Sequence, residues 1–227
     1  MKKMTTLLAV LFSVTAFSQA NIQITEIFSG QSGTDLTADW FEIHNTGDTT
    51  WVSGVDDDLY YDDESADATT ADLIQGIIDL QPDERAIVLV TDNITGEVNT
   101  FISVWGEVVD LTDVEVGYTN GAGLGGGGDT VVVWLGDPLT TGTIIDTESY
   151  PDTASNDGQS YDIELAAFSV SGNISNATTT LALGGSANDV PNIASPANAQ
   201  PLPPTLVITE ISSGQEGDDL TADWFEI

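Results

Sequence analysis

Along most of the chain, short apolar runs rich in Ile, Val and Thr alternate with clusters of Gly, Asp, Asn, Ser and Pro. Runs of this length bounded by turn residues predict β-strands. They fall at residues 22–28, 40–45, 50–52, 73–80, 85–91, 130–135, 142–149 and 160–165. Strand alternation puts Trp40, Glu42 and His44 on one face of the second run and Phe41 and Ile43 on the other. The same rule places Glu26 on the face of Ile22 and Ile24. Pro82-Asp83-Glu84 predicts a turn joining two strands, because proline presets φ for the second turn position. One helix is expected, at 97–105, where Phe101 and Trp105 stand four apart. Many short strands at near-regular spacing predict an all-β antiparallel sandwich or barrel.

The pattern also repeats. Residues 24–43 return as residues 208–227, with differences only at Phe28/Ser212, Ser32/Glu216 and Thr34/Asp218, and a constant offset of 184. The chain is therefore expected to hold one complete unit, residues 21–190, and the start of a second at 205–227, as a piece of a longer tandem protein. Five of the eight prolines (Pro191, Pro196, Pro201, Pro203, Pro204) mark residues 191–204 as an extended linker.

Charge narrows the function. Against 37 Asp and Glu stand 3 Lys and Arg, and two of these, Lys2 and Lys3, precede the apolar stretch Leu7-Leu8-Ala9-Val10-Leu11-Phe12. Together with the small residues near Ala20, that arrangement reads as a secretory signal over residues 1–20, cut before Gln19 or Asn21. Ser13 and Thr15 interrupt the stretch well short of the ~20 residues that span a bilayer, so no transmembrane segment is expected. The exported chain would keep Arg85 as its one Lys or Arg and carry a formal charge of −36 (37 acids less one Arg). Such a field repels nucleic acid and anionic lipid. With no cysteine, disulfides and thiolate sites are excluded, and a single histidine excludes a histidine-rich metal site.

The candidate chemistry is thin. Gly123-Leu124-Gly125-Gly126-Gly127-Gly128 has the glycine spacing of a dinucleotide loop but leads into the strand-like Val131-Val132-Val133, where that loop requires a helix. Eight acids lie between residues 56 and 72, and Asp56, Asp58, Asp62 and Asp63 are the candidate ligands for calcium, a cation that takes six to eight oxygens. A solvated acidic loop is the favoured alternative, since Tyr60 and Tyr61 break the EF-hand spacing. Glu26 and Glu42 could pair as general acid and base, or His44 could assist a nucleophile. No nucleophile motif accompanies them, because Gly30-Gln31-Ser32-Gly33 lacks the nucleophile-elbow spacing. A structural role for both glutamates is expected, with no catalytic residue and no cofactor other than calcium.

Several of these segments resemble the lamin-tail domain family in its bacterial secreted form. They are Ile24-Thr25-Glu26-Ile27, Asp39-Trp40-Phe41-Glu42-Ile43-His44-Asn45-Thr46-Gly47, Leu124 with Gly128-Asp129-Thr130-Val131, Gly158-Gln159-Ser160-Tyr161, and Ser195-Pro196-Ala197-Asn198, where Ala197 stands in place of the family's glycine. The resemblance implies an immunoglobulin-like β-sandwich over most of residues 22–198, without catalytic residues of its own. It also implies an accessory part of an exported protein, often beside hydrolases such as nucleases or phosphatases. The 184-residue period exceeds the compact domain, so insertions such as the acidic loop at 56–72 are expected. The expected function is a secreted, non-catalytic binding or spacer module at the cell exterior, meeting an extracellular or cell-surface partner. The alternatives are the N-terminal part of an extracellular phosphoesterase or nuclease, and a calcium-stabilised adhesin-like repeat protein.

Overall fold

The computed structural model describes residues 20–30, 36–170 and 192–198, together with the backbone of short strands at 178–179, 210–212 and 224–226. Residues 1–19 of the proposed signal at 1–20, residues 191 and 199–204 of the linker and most of 205–227 lie outside the described residues. The strands are β1 (Ile22–Phe28), β2 (Trp40–Asn45), β3 (Trp51–Val52), β4 (Leu59–Asp62), β5 (Asp72–Leu73), β6 (Asp79–Leu80), β7 (Arg85–Val90), β8 (Glu115–Thr119), β9 (Asp129–Leu135) and β10 (Thr143–Tyr150). They continue as β11 (Tyr161–Asp162), β12 (Ala167–Phe168), β13 (Thr178–Thr179), β14 (Ile193–Ala194), β15 (Glu210–Ser212) and β16 (Trp224–Glu226). Helix α1 (Ile94–Trp105) lies between β7 and β8.

A six-stranded sheet in the order β12-β11-β1-β2-β7-β8 faces a four-stranded sheet in the order β10-β9-β4-β5. This is the all-β, mainly antiparallel sandwich that the alternation predicts. Its exception is the β7–β8 pair, which is parallel and therefore needs a crossover, supplied by α1. Between the sheets pack Ile22, Ile24, Ile27, Phe41, Ile43 and Val88 from one side and Leu59, Tyr61, Val131 and Val133 from the other. The opposite face of the six-stranded sheet is also covered, for Phe28, Trp40, Ile87 and Leu89 pack under Phe101, Val104 and Trp105 of α1. Trp40 stacks on Phe28 at 5.7 Å and meets Phe101 and Trp105 edge-on at 5.8 and 6.4 Å. Each such side chain contributes about 1.5–3 kcal/mol by burial. All six residues of β2 are consequently buried, charged ones included.

The differences from the sequence expectations have local causes. Pairing of β1 with β2 shifts register between Ile24 and Glu26, a β-bulge. The bulge corrects the placement of Glu26: Ile22, Ile24 and Ile27 face the inter-sheet core, while Glu26 lies opposite Glu42 and turns to the other side. Helix α1 starts at Ile94, three residues earlier than expected. The run at 73–80 is two strands, because Gly76 turns the chain at φ +87° between β5, paired with β4, and β6, paired with β3. Gln81-Pro82-Asp83-Glu84 forms the expected turn, with Asp83 at φ +67° and the Glu84 amide donating to the Gln81 carbonyl at 3.1 Å. The strands it joins do not pair with each other but enter different sheets. Residues 192–198, expected as linker, pack into the first unit, with Asn192, Ala194 and Ser195 buried.

At the bulge the Ile24 amide donates to Asp146 Oδ2 at 2.7 Å. Asp146 itself sits at a register shift in the β9–β10 pairing. An irregularity in each sheet thus meets the other, and a carboxylate replaces a neighbouring strand as the acceptor. Asp146→Ala is expected to lower stability by about 1–3 kcal/mol, the range for a buried donor left without a partner. Asp146→Asn, which keeps an acceptor oxygen, should stay near the native value in urea unfolding.

Candidate functional site

The bulge turns Thr25 and Glu26 toward the β2 face that carries Glu42. Glu42 accepts hydrogen bonds from the Thr25 hydroxyl and from the Arg85 guanidinium on β7. Glu26 accepts from the Ser160 hydroxyl and, through the same oxygen, from the Ser195 amide at 2.9 Å. Its second oxygen lies 3.1 Å from the Ser195 hydroxyl. Ser169 completes the cluster with its hydroxyl 2.8 Å from that of Ser160. Glu26 and Glu42 retain only 3% and 1% of their exposure. The closing segment is laid onto them by two further bonds, Ser160 amide to Ile193 carbonyl at 3.0 Å and Ile193 amide to Gly158 carbonyl at 2.8 Å. Ala197 then adopts φ 56°, ψ 19°, a left-handed conformation in which glycine is favoured.

Two carboxyl groups and one guanidinium leave this enclosure one negative charge in excess. Burial, and next the nearby Glu42 charge, push the Glu26 carboxyl up to about 8, against the opposing pull of the Ser160 and Ser195 bonds. Burial also raises Glu42, opposed by the Arg85 charge, by the Thr25 and Arg85 hydrogen bonds and by the Ala197 amide. Glu26 accordingly holds a proton at neutral pH, while Glu42 pairs with Arg85. As general acid and base the two would need access to a substrate. Their hydrogen bonds instead tie β1 and β2 to Ser160, Ser195 and Arg85.

His44 contacts Asp83 at 3.1 Å, and Asp83 is almost wholly exposed, so this contact contributes little. His44, Arg85, Asp146 and Glu148 are among the residues that line a 370 Å³ cleft.

The four calcium candidates serve two separate turns. Asp56 accepts from the Val52 amide at 2.9 Å, and Asp58 from the Ser53 hydroxyl at 2.8 Å and the Gly54 amide at 2.9 Å. Asp62 is buried and accepts from the Ser65 hydroxyl at 2.8 Å, the Asp67 amide at 2.6 Å and the Thr70 hydroxyl at 3.1 Å; Asp63 accepts from the Ser65 amide at 2.9 Å. Among the described residues no group of three or more His, Asp or Glu gathers to hold a metal ion. The glycine-rich loop leads into β9, as expected, with Asp129 Oδ2 accepting from the Gly125 amide at 2.8 Å.

The chain matches no family model, no curated protein and no solved structure. Sequence reasoning named Glu26, Glu42 and His44 but missed Arg85, Ser160, Ser169 and Ser195 as their companions. One signal was available: a lone Arg beginning a strand next to a glutamate-bearing strand.

Glu26 gives stability an unusual slope with pH. Its folded pKa, about 8, lies above its ordinary 4.5. Between those values the folded state holds a proton that the unfolded state has lost, so the contribution is complete below about 4.5 and fades as pH rises through about 8. In high salt, which screens the acidic surface, chemical unfolding should show stability declining over that window, and Glu26→Gln should flatten the decline. Arg85→Ala leaves Glu42 buried without its cation and is expected to cost about 3–5 kcal/mol. A double-mutant cycle with Glu42→Gln should recover a large part of that loss.

Proposed function

We propose that this chain is a secreted, non-catalytic module of the lamin-tail type, an immunoglobulin-like β-sandwich that binds or spaces at the outside of a bacterial cell within a larger extracellular protein. The observation that carries the reading is the convergence of the opening strand, the second strand, the Gly-x-Ser segment and the Ser-Pro-Ala-Asn segment on one buried cluster. Glu26, Glu42, Ser160 and Ser195 come from these four segments and hydrogen-bond within it. Ala197 takes the left-handed conformation at the position where the family's pattern has glycine. Supporting export is the charged and apolar pattern of residues 1–20. Supporting a non-catalytic role is the commitment of both buried carboxyls to holding the closing segment in place.

The test has two arms. Expressed whole in a bacterial host, the chain should reach the exported fraction with Gln19 or Asn21 as its new N-terminus by mass spectrometry. The purified protein should turn over bis-p-nitrophenyl phosphate and DNA, with magnesium, manganese or calcium, at the same background rate as Glu26→Gln and Glu42→Gln. Turnover that disappears in a folded Glu42→Gln protein would replace this reading with the phosphoesterase.

A further inference from the structure

The strand pair that carries the cluster occurs twice. Residues 208–227 differ from 24–43 at only three of twenty positions, and the backbone pairing repeats with them. Glu210 faces Glu226, Ile211 faces Phe225 and Ser212 faces Trp224, as Glu26 faces Glu42, Ile27 faces Phe41 and Phe28 faces Trp40. The first hairpin sits between β11 and β7 in a slot with defined walls. Ser160 and Ser195 meet Glu26, Arg85 meets Glu42, Tyr61 lies against Phe41, and Phe101 and Trp105 lie against Trp40. At these positions the second hairpin carries identical residues, Glu210, Glu226, Phe225 and Trp224.

We infer that the slot between β11 and β7 accepts either hairpin, so that the chain has a second folded arrangement in which β15–β16 replaces β1–β2 and residues 21–43 are released. Asn45 is the natural pivot, since its side-chain amide donates to the Thr49 and Leu80 carbonyls, at 2.8 Å each, beyond the segment that leaves. The second hairpin is tethered close to the slot. Ser195 already lines it, and the 13 residues from Ser195 to Ile208 reach up to about 40 Å when extended. A tether this short gives an effective concentration on the order of millimolar, which favours the chain's own hairpin over that of a second copy.

The two occupants are unequal, and one difference decides which prevails. Phe28 is fully buried and stacks on Trp40 at 5.7 Å, whereas its counterpart is Ser212. The first hairpin therefore holds the slot in the native chain.

The experiment uses the absence of cysteine, which makes any introduced pair unique. Ile43 faces Ala86 across the β2–β7 ladder, and Ile227 is the counterpart of Ile43. In the full chain, A86C/I43C reports the first hairpin in the slot and A86C/I227C reports the second. Exchanging the ring between hairpins with F28S/S212F is expected to raise intramolecular 86–227 crosslinking at least tenfold over the parent pair and to lower 86–43 crosslinking. A folded F28S/S212F protein that crosslinks only 86–43, or neither pair, overturns the proposal. Loss of folded near-ultraviolet signal in F28S/S212F also overturns it, since the hairpin bearing Phe at 212 must then fail to sustain the unit. An 86–227 disulfide found only between chains would assign the slot to a second copy and overturn the intrachain arrangement.

Discussion

Inside this protein two glutamates stand opposite each other on adjacent strands, with one guanidinium bonded to Glu42. Two buried carboxylates without compensation would be expensive, because desolvation and mutual repulsion act in the same direction. Three arrangements reduce the cost. Arg85 neutralises Glu42, Glu26 keeps its proton, and hydroxyl and amide donors from distant segments bond to Glu26. The strand order follows from this requirement. Arg85 must begin the strand next to β2, and Ser160 and Ser195 must return from more than 130 residues away to close over β1.

The surface presents the opposite situation. Among the described residues nearly all the other carboxylates lie outside the core, where water screens them, and many have local tasks. Asp56, Asp58, Asp63 and Asp67 each accept amide or hydroxyl hydrogens within a few residues of themselves and so shape turns. The acidic loop is consistent with this turn-forming use of short side chains. Asp62 and Asp146 are intermediate cases, one ordering the acidic loop from beneath and the other tying β10 to the bulge of β1. The same side-chain chemistry therefore does three jobs, set by depth: turn former at the surface, stitch between sheets, and clasp within the core.

Much of the architecture was legible because strands announce themselves by period. The runs at 22–28 and 40–45 coincide with β1 and β2, and the glycine-rich loop leads into a strand as its valines indicated. β4 and β8 escaped notice, because Asp62, Glu115 and Gly117 interrupt their apolar character. The buried cluster was half legible. Glu26 and Glu42 stood out, and a structural role was the expected one, but alternation put Glu26 on the wrong face. An extra residue at Thr25 resets the alternation, and a bulge is a property of two paired strands that neither strand reveals alone.

By itself the sequence determined the strand-rich class, the duplicated hairpin, the acidic exterior and the scarcity of cations that makes Arg85 matter. These are local or compositional properties, readable wherever period, identity and charge are readable. Only the tertiary structure decided which of the described acids go inside, that β2 is covered on both faces, and that the closing segment belongs to the first unit. Each of those depends on partners far apart in the chain, as in the Glu26–Ser195 bonds across 169 residues. Burial of a charge is settled by what surrounds it after folding, and the neighbours of Glu26 in the sequence are not its neighbours in space.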